Sequence, residues 1–297
     1  MSYLSSPSSL SVPLRYTQSF LRDPRLVERL VAASSVTRDD LVVEIGPGAG
    51  IITDALARRA GRVVAVELDA ALAERLRCRH ASNPGVTIHA GDFLEFPLPR
   101  QPYKVFANIP FARTHEIVTR LTSAAQPPDD AWLIMQREAA EKFCGAPREY
   151  LYSALLKPWF APEIAHHFRR GDFAPAPSVE VVLLRIQKRG PPLLAPHERQ
   201  FYRDVVVYCF VARQPGIKQT LRDILSHRQT RQTLLLSGVA PDATPSSISF
   251  TQWLQLYRAI ARLGGERARA VVAGSEARLR RQQARLQKQH RTRRRGV

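Results

Sequence analysis

The 297 residues are enough to bury a full core and to hold one large domain or two. Forty-four Lys and Arg against 26 Asp and Glu leave a net charge of +18, which favours a polyanionic partner. Three scattered cysteines (Cys78, Cys144, Cys209), no Cys/His ligand spacing and no apolar run near the roughly 20 residues of a membrane helix speak against a disulfide framework, a metal site and a membrane span.

The cysteines read as reduced thiols of a cytoplasmic protein. The basic residues are almost all arginine, whose planar fork suits phosphates and base edges. GC-rich codon usage also explains arginine in place of lysine, but not the positive excess.

Residues 1–14, rich in Ser and Pro, read as a flexible N-terminus without the basic start and apolar core of a signal peptide. Residues 16–31 carry Phe20, Leu21, Leu26, Leu30 and Val31 at helical spacing. A strand at Leu41–Ile45 stops at Gly46-Pro47-Gly48-Ala49-Gly50, and a helix runs on to about Ala60. Strand, glycine turn and helix bring backbone N–H groups close to a ligand. The turn fits a dinucleotide fingerprint only loosely, and a plain helix-capping turn is the competing reading. Further strands follow at 62–68, 86–90, 103–107 and 131–136, with helices at 70–80 and 114–123 and on to about Phe143. Strand pattern returns at 163–168 and 179–186. The alternation predicts a doubly wound parallel α/β sheet.

After Lys188 the segment RGPPLLAP reads as a linker. Residues 197–263 show only helical patterns, broken at 214–216 and 241–245. From Glu266 onward eleven Lys and Arg face two Glu, a net +9, with no sustained apolar stripe. Such a stretch is disordered or a solvated helix until it meets an anion. The expected domains are a flexible N-terminus (1–14), a catalytic domain (15–189), an all-helical C-terminal domain (190–264) and a basic, disordered tail (265–297).

Four strand ends carry the chemistry. The first ends in the glycine turn. The second ends in Glu67, about twenty residues on, a spacing suited to a carboxylate on ribose hydroxyls. The third ends in Asp92-Phe93, an acceptor for an exocyclic amine beside an aromatic face. The fourth ends in Asn108-Ile109-Pro110-Phe111. Singly, Glu67 and Asp92 also read as helix caps, and the last motif as a Pro-containing turn with a buried Phe. Together they suit methyl transfer to the exocyclic amine of a base. The Asn108 side-chain oxygen and the Ile109 carbonyl accept the amine hydrogens, Pro110 fixes the turn and Phe111 stacks on the base. Arg113 beside the motif reads as a phosphate contact or a solvated charge.

VVEIGPGAG, VVAVELD, GDF and NIPF, in this order and spacing, resemble the ribosomal RNA adenine-N6 methyltransferases. NIPF, LIMQREAAEKF (133–143) and FRRGDFAPAPSVEVVLLRI (168–186) are similar to the Erm branch, which modifies one adenine of 23S rRNA and confers macrolide, lincosamide and streptogramin B resistance. The resemblance covers about residues 15–260. It implies a Rossmann-like methyltransferase sheet with a smaller helical domain, and S-adenosyl-L-methionine as donor. It further implies a monomer acting on an adenine-containing hairpin of 23S rRNA before ribosome assembly is complete. By resemblance the donor contacts are Gln18, Ser19, Leu21, Gly46, Gly48, Glu67, Leu68, Asp92, Phe93 and Asn108. The catalytic set is Asn108, Ile109, Pro110 and Phe111. Where the family carries Gln-Asn-Phe-Leu, this chain has Gln18-Ser19-Phe20-Leu21, which removes a side-chain amide at position 19. The alternatives are a small-subunit rRNA adenine dimethyltransferase, a nicotinamide oxidoreductase and a non-catalytic RNA-binding protein.

Overall fold

The structure, a computed structural model, describes residues 19–212 and 214–295, with side chains to residue 285. The expected N-terminus at 1–14 and Gln18 lie outside the described residues.

A two-residue strand, β1 (Phe20–Leu21), comes first, and α1 (Pro24–Ala33) follows. The helix expected from residue 16 thus starts later. Asp23 caps it by accepting the Arg25 N–H at 2.9 Å, and Pro24 presets φ in its first turn. Next come β2 (Leu41–Ile45), α2 (Ile51–Arg59), β3 (Arg62–Glu67), α3 (Ala70–Arg79) and β4 (Val86–Ala90). β5 (Lys104–Asn108), α4 (Thr114–Ser123), β6 (Asp130–Gln136) and α5 (Arg137–Cys144) keep the alternation. A helix α6 (Leu151–Leu156), too short to show a periodicity in the sequence, precedes β7 (Phe160–His167). β8 (Phe173–Ala174) and β9 (Val181–Lys188) are the last strands described. Helices follow: α7 (Arg199–Val211), α8 (Ile217–Ile224), α9 (His227–Ser237), α10 (Phe250–Leu263), α11 (Gly265–Val272) and α12 (Ser275–Arg295).

The main sheet has the order β4-β3-β2-β5-β6-β9-β7, while β1 and β8 form a separate antiparallel pair. β2 runs parallel to β3 and β5, β3 to β4, and β5 to β6. From β2 the chain moves outward through β3 and β4, then returns to β5 on the other side. The strand order therefore reverses between β2 and β5, the place where open α/β sheets bind ligands at the strands' carboxyl ends. Every residue of β2 is buried, so both faces of the sheet are covered there. On one face Val42, Val63, Phe106 and Trp132 pack with Val27 and Leu30 of α1 and Ile52 and Leu56 of α2. Strand alternation sends Val43 and Ile45, also buried, to the other face. This is the expected Rossmann-like α/β fold with a helical C-terminal part.

The domain boundaries differ from those expected. One compact unit takes the described residues up to Arg137 and Ile164–Arg185, and the other takes Glu138–Glu163 and the chain from Ile186. Residues 138–163 join the helical unit through contacts distant in sequence. The Tyr202 hydroxyl donates to the Ala154 carbonyl at 2.7 Å, and Trp159 stands edge-on to Tyr202. Arg189 Nε reaches the carbonyls of Lys157 at 2.8 Å and Phe160 at 3.1 Å. The basic stretch from 265 is also helical where described. Ala268 and Val272 of α11 are buried, so the helical unit extends past 264. Those two apolar positions are too few to register as a stripe, yet they anchor the helix.

Asp130, buried at the head of β6, accepts hydrogen bonds from Ser35 Oγ at 2.7 Å and from Arg185 Nε at 3.0 Å. Arg185 also lies over the Trp132 ring, 5.0 Å from its centroid. Asp130→Ala breaks this buried ion pair with Arg185 and is expected to lower the unfolding free energy by about 3 kcal/mol. Asp130→Asn, which keeps an acceptor, should cost less. Urea denaturation measures both, and a loss under about 1 kcal/mol for the alanine variant would show that water replaces the pair.

Candidate active site

The glycine turn after β2 is left-handed at three positions: Gly46 (φ 66°), Gly48 (φ 56°) and Gly50 (φ 88°). Gly46 N–H donates to the Val66 carbonyl at 2.9 Å. Gly48 N–H donates to Glu67 Oε2 at 2.9 Å, and Asp69 N–H donates to Glu67 Oε1 at 2.9 Å. The carboxylate at the end of β3 is thereby held in one orientation against the turn. A Cβ on Gly48 would lie 2.8 Å from the Phe20 ring, and one on Gly50 would lie 2.4 Å from Leu76. Arg79 Nη1 donates to the Ala49 carbonyl at 2.8 Å. The turn is thus packed by a ring, a leucine and an arginine that its own sequence does not announce. No side chain caps α2, whose first amides follow the turn. Beside Glu67, Leu68 is 60% exposed, a large apolar side chain offered at the strand end.

Asp92 follows β4. Its Oδ1 accepts the Leu94 N–H at 2.8 Å and its Oδ2 accepts Arg113 Nη1 at 2.8 Å. Burial pushes this carboxyl up, but the Leu94 amide and the Arg113 guanidinium outweigh it and hold the group below the ordinary carboxylate range. Arg113 also bonds Glu116 Oε2 at 3.1 Å, so its fork spans two carboxylates instead of standing as a lone solvated charge. Phe93 is buried, with the Arg120 guanidinium 5.9 Å above its ring.

Asn108 ends β5 and is buried. Its Nδ2 donates to the Ser19 carbonyl at 2.9 Å. A backbone carbonyl only accepts, so this bond fixes which end of the amide is nitrogen and leaves Oδ1 as the acceptor the side chain can offer. Ser19 therefore acts through its backbone, and the missing side-chain amide at that position does not touch this role. The segment is held by β1, whose Phe20 and Leu21 pair with Ala174 and Phe173, and by Arg22 N–H donating to the Asp172 carbonyl at 3.0 Å. The Leu21 side chain belongs to the core, leaving its backbone for other contacts. Ile109 is buried and its N–H donates to the Ile134 carbonyl at 3.2 Å. Pro110 (φ −63°, ψ 122°) turns the chain into a single 3₁₀ turn, Phe111–Arg113. Phe111 is partly buried against the core.

The sequence reading passed over one titratable group. Glu44 lies inside β2 and is wholly buried, with Thr53 Oγ1 donating to Oε2 at 2.7 Å and Oε1 lacking a partner among the described residues. Burial pushes its carboxyl up to about 8, against the Thr53 hydrogen bond and with help from the nearby charges of Asp54 and Glu67. The position hides in an apolar run. The available clue was a lone acid two residues before a glycine turn.

Residues 11–262 match the family model described as ribosomal RNA adenine dimethylase. Among curated proteins, the rRNA adenine N-6-methyltransferase of Aeromicrobium erythreum is 32% identical over 266 residues, 89% of this chain and 77% of that protein. The ribosomal RNA small subunit methyltransferase A of Syntrophotalea carbinolica is 28% identical over 254 residues, 83% of this chain and 96% of that protein. Among solved structures, the 23S rRNA methyltransferase ErmE superposes with a TM-score of 0.76 at 29% identity, over 82% of this chain and 99% of that one.

The raised Glu44 carboxyl makes stability depend on pH. A group with a folded value near 8 and an ordinary value of 4.5 binds its proton more tightly when folded. Its contribution is fully present below about 4.5 and is lost as pH rises to about 8. Glu44→Gln, neutral throughout, should therefore gain on the wild type across that window, by on the order of a few kcal/mol at its upper end. Thermal melts from pH 4 to pH 9 test this, and parallel curves would mean that Glu44 ionises normally.

Proposed function

The chain belongs to the ribosomal RNA adenine dimethylase family, and from that premise we propose that it methylates the exocyclic N6 of one adenine in 23S rRNA, giving resistance to macrolides, lincosamides and streptogramin B. The family makes it an S-adenosylmethionine-dependent rRNA adenine methyltransferase. This places the nicotinamide oxidoreductase and the non-catalytic RNA-binding protein out of contention. The large-subunit target rests on Ile109 and Phe111 within the Asn-Pro motif and on the likeness to ErmE. The rival target, small-subunit rRNA, is raised by the relative from Syntrophotalea carbinolica. The enzyme acts as a monomer in the cytoplasm, on an adenine-containing hairpin before the ribosome is fully assembled. Among the described residues no helix is long and apolar enough to cross a membrane.

The residues present fit the donor. The left-handed turn at Gly46 and Gly48 and an α2 start with no side-chain cap put backbone N–H groups where a ligand can come close. Glu67, fixed by two amides, keeps lone pairs for ribose hydroxyls. Asp92, kept ionised by Arg113, accepts the amine of the donor's adenine, with Leu68 and Phe93 beside it. Ser19 and Leu21 contribute backbone, and Gln18 completes the set. Glu44 stands behind the turn, its Oε1 without a described partner. S-adenosylmethionine, when bound, supplies an electrophilic methyl on a sulfonium.

The observation that carries the proposal is the bond from Asn108 Nδ2 to the Ser19 carbonyl, which sets Oδ1 as the acceptor. Oδ1 and the Ile109 carbonyl take the two hydrogens of the target amine and favour a pyramidal nitrogen with an available lone pair. Pro110 fixes that carbonyl, and Phe111 stacks on the base. The target nitrogen would take the methyl as the donor's S–CH3 bond breaks, that electron pair leaving on the neutral thioether sulfur, and the positively charged nitrogen would then lose one hydrogen as a proton to water. Positioning supplies much of the rate, so no strong base is needed.

Expression in a host lacking the modification, followed by mass spectrometry of both rRNAs, should show methyladenine in the 23S species. Modification confined to 16S rRNA would overturn the large-subunit reading and leave the family assignment standing. Asn108→Ala is expected to cost on the order of 10²–10³ in kcat; near wild-type turnover would remove it from the mechanism. Arg113→Ala should weaken donor binding roughly five-fold by calorimetry, as expected for a partly exposed ion pair worth about 1 kcal/mol. Unchanged donor affinity would release Arg113 from that role.

A further inference from the structure

The family match ends at residue 262, yet α11 and α12 carry the chain on as helix to Arg295. α12 holds nine Lys and Arg against a single acid, Glu276. Its sequence offers no continuous apolar stripe to bury, and like charges three and four residues apart repel. It is instead fastened at its start. Glu276 accepts Arg203 Nε at 2.8 Å on Oε2 and Arg203 Nη2 at 2.6 Å on Oε1, with Arg280 Nη2 at 2.6 Å from Oε1 as well. Asp204, also on α7 and buried, accepts the Glu276 N–H at 2.9 Å and the Gly274 N–H at 3.2 Å. Two neighbouring carboxylates and a bidentate arginine thus fix the root and direction of the helix.

Beyond that root the charge is ordered. At 100° per residue, positions 278, 281, 285, 288, 291 and 295 fall within an arc of roughly 140°. All six are Lys or Arg. The helix spans about 31 Å at 1.5 Å per residue, the length of several successive phosphates along a duplex.

We infer that α12 is an RNA-docking arm, rooted on α7 by Glu276 and Asp204, whose basic arc lies along the sugar–phosphate backbone of the rRNA substrate outside the family core. The inference rests on the reading of the substrate as rRNA. A one-signed helix with no apolar stripe meets a polyanion by charge alone. The arm therefore supplies affinity without reading sequence, and it relieves its own repulsion when phosphates neutralise it.

The test uses the full-length enzyme and the naked rRNA that it is found to methylate. One variant carries Arg281→Gln, Arg285→Gln, Lys288→Gln, Arg291→Gln and Arg295→Gln, and a second chain ends at Ala284. Both keep Glu276, Arg280 and Arg203. Each should raise KM for RNA, leave kcat at saturating RNA and donor affinity unchanged, and flatten the plot of log Kobs against log salt. The expected flattening is about 2–4 in slope, from about 0.9 per lost duplex phosphate contact. An unchanged slope and KM in both variants would overturn the inference. So would loss of binding to phosphatidylcholine–phosphatidylglycerol vesicles with RNA binding intact, which would assign the arm to a membrane surface. A wild type that methylates no rRNA would instead defeat the functional reading, a result separate from these.

Discussion

The hydrogen bond from Gly48 N–H to Glu67 is the constraint on which the site depends. It joins the turn after β2 to the end of β3, and its counterpart from Asp69 N–H takes the other oxygen. A carboxylate held by two amides has little freedom left, so its remaining lone pairs face one way without a further ordering cost. The bond also requires the left-handed backbone at Gly48, where any side chain would collide with Phe20. Phe20 in turn sits in β1, next to Ser19, whose carbonyl orients Asn108. One short segment therefore touches both the glycine turn and Asn108. That segment is fixed by pairing with Phe173 and Ala174, far along the chain.

The acids of the site differ in their environments and so in their charge. Glu44 is buried behind the turn with one hydroxyl donor and is pushed up toward neutrality. Asp92 has an amide and a guanidinium and is held ionised. The neighbouring Glu67 adds to the push that favours the neutral form of Glu44, while the donors around Asp92 favour its ionised form. The same functional group is thus pushed toward its neutral form in one place and toward its ionised form in another. The difference lies in the donors that the fold brings to each.

The strand ends were legible in the sequence because their signals are local. A glycine turn after an apolar run, an acid closing the next strand and Asn-Ile-Pro-Phe closing another each declare themselves within ten residues or so, and β2 to β6 fall where the periodicity puts them. What escaped was set by contacts distant in sequence. Position 19 looked damaged because its side chain lacks an amide, whereas the structure uses the carbonyl that every residue has. Glu44 passed for part of an apolar strand, since burial of an acid leaves no local mark. Arg113 looked like a free cation because Asp92, 21 residues away, is invisible to any local pattern. The boundary at 189 followed a Pro-rich composition shift, but Tyr202 and Arg189 bind residues 154–160 into the helical unit.

The distribution of charge follows from what the chemistry tolerates. The strand ends carry carboxylates and an amide, and a dense basic lining there would occupy those acceptors, as Arg113 already does for one oxygen of Asp92. The excess positive charge is placed elsewhere: half of the net +18 lies beyond residue 265. Coulombic attraction at phosphates is additive and indifferent to sequence, so it can be supplied by residues that take no part in the chemistry. Selection of one adenine needs the opposite: few groups, fixed within a hydrogen-bond length. Glu276 and Asp204 hold the arm by its root for that reason, since a docking element adds most affinity when its direction is set before the polyanion arrives.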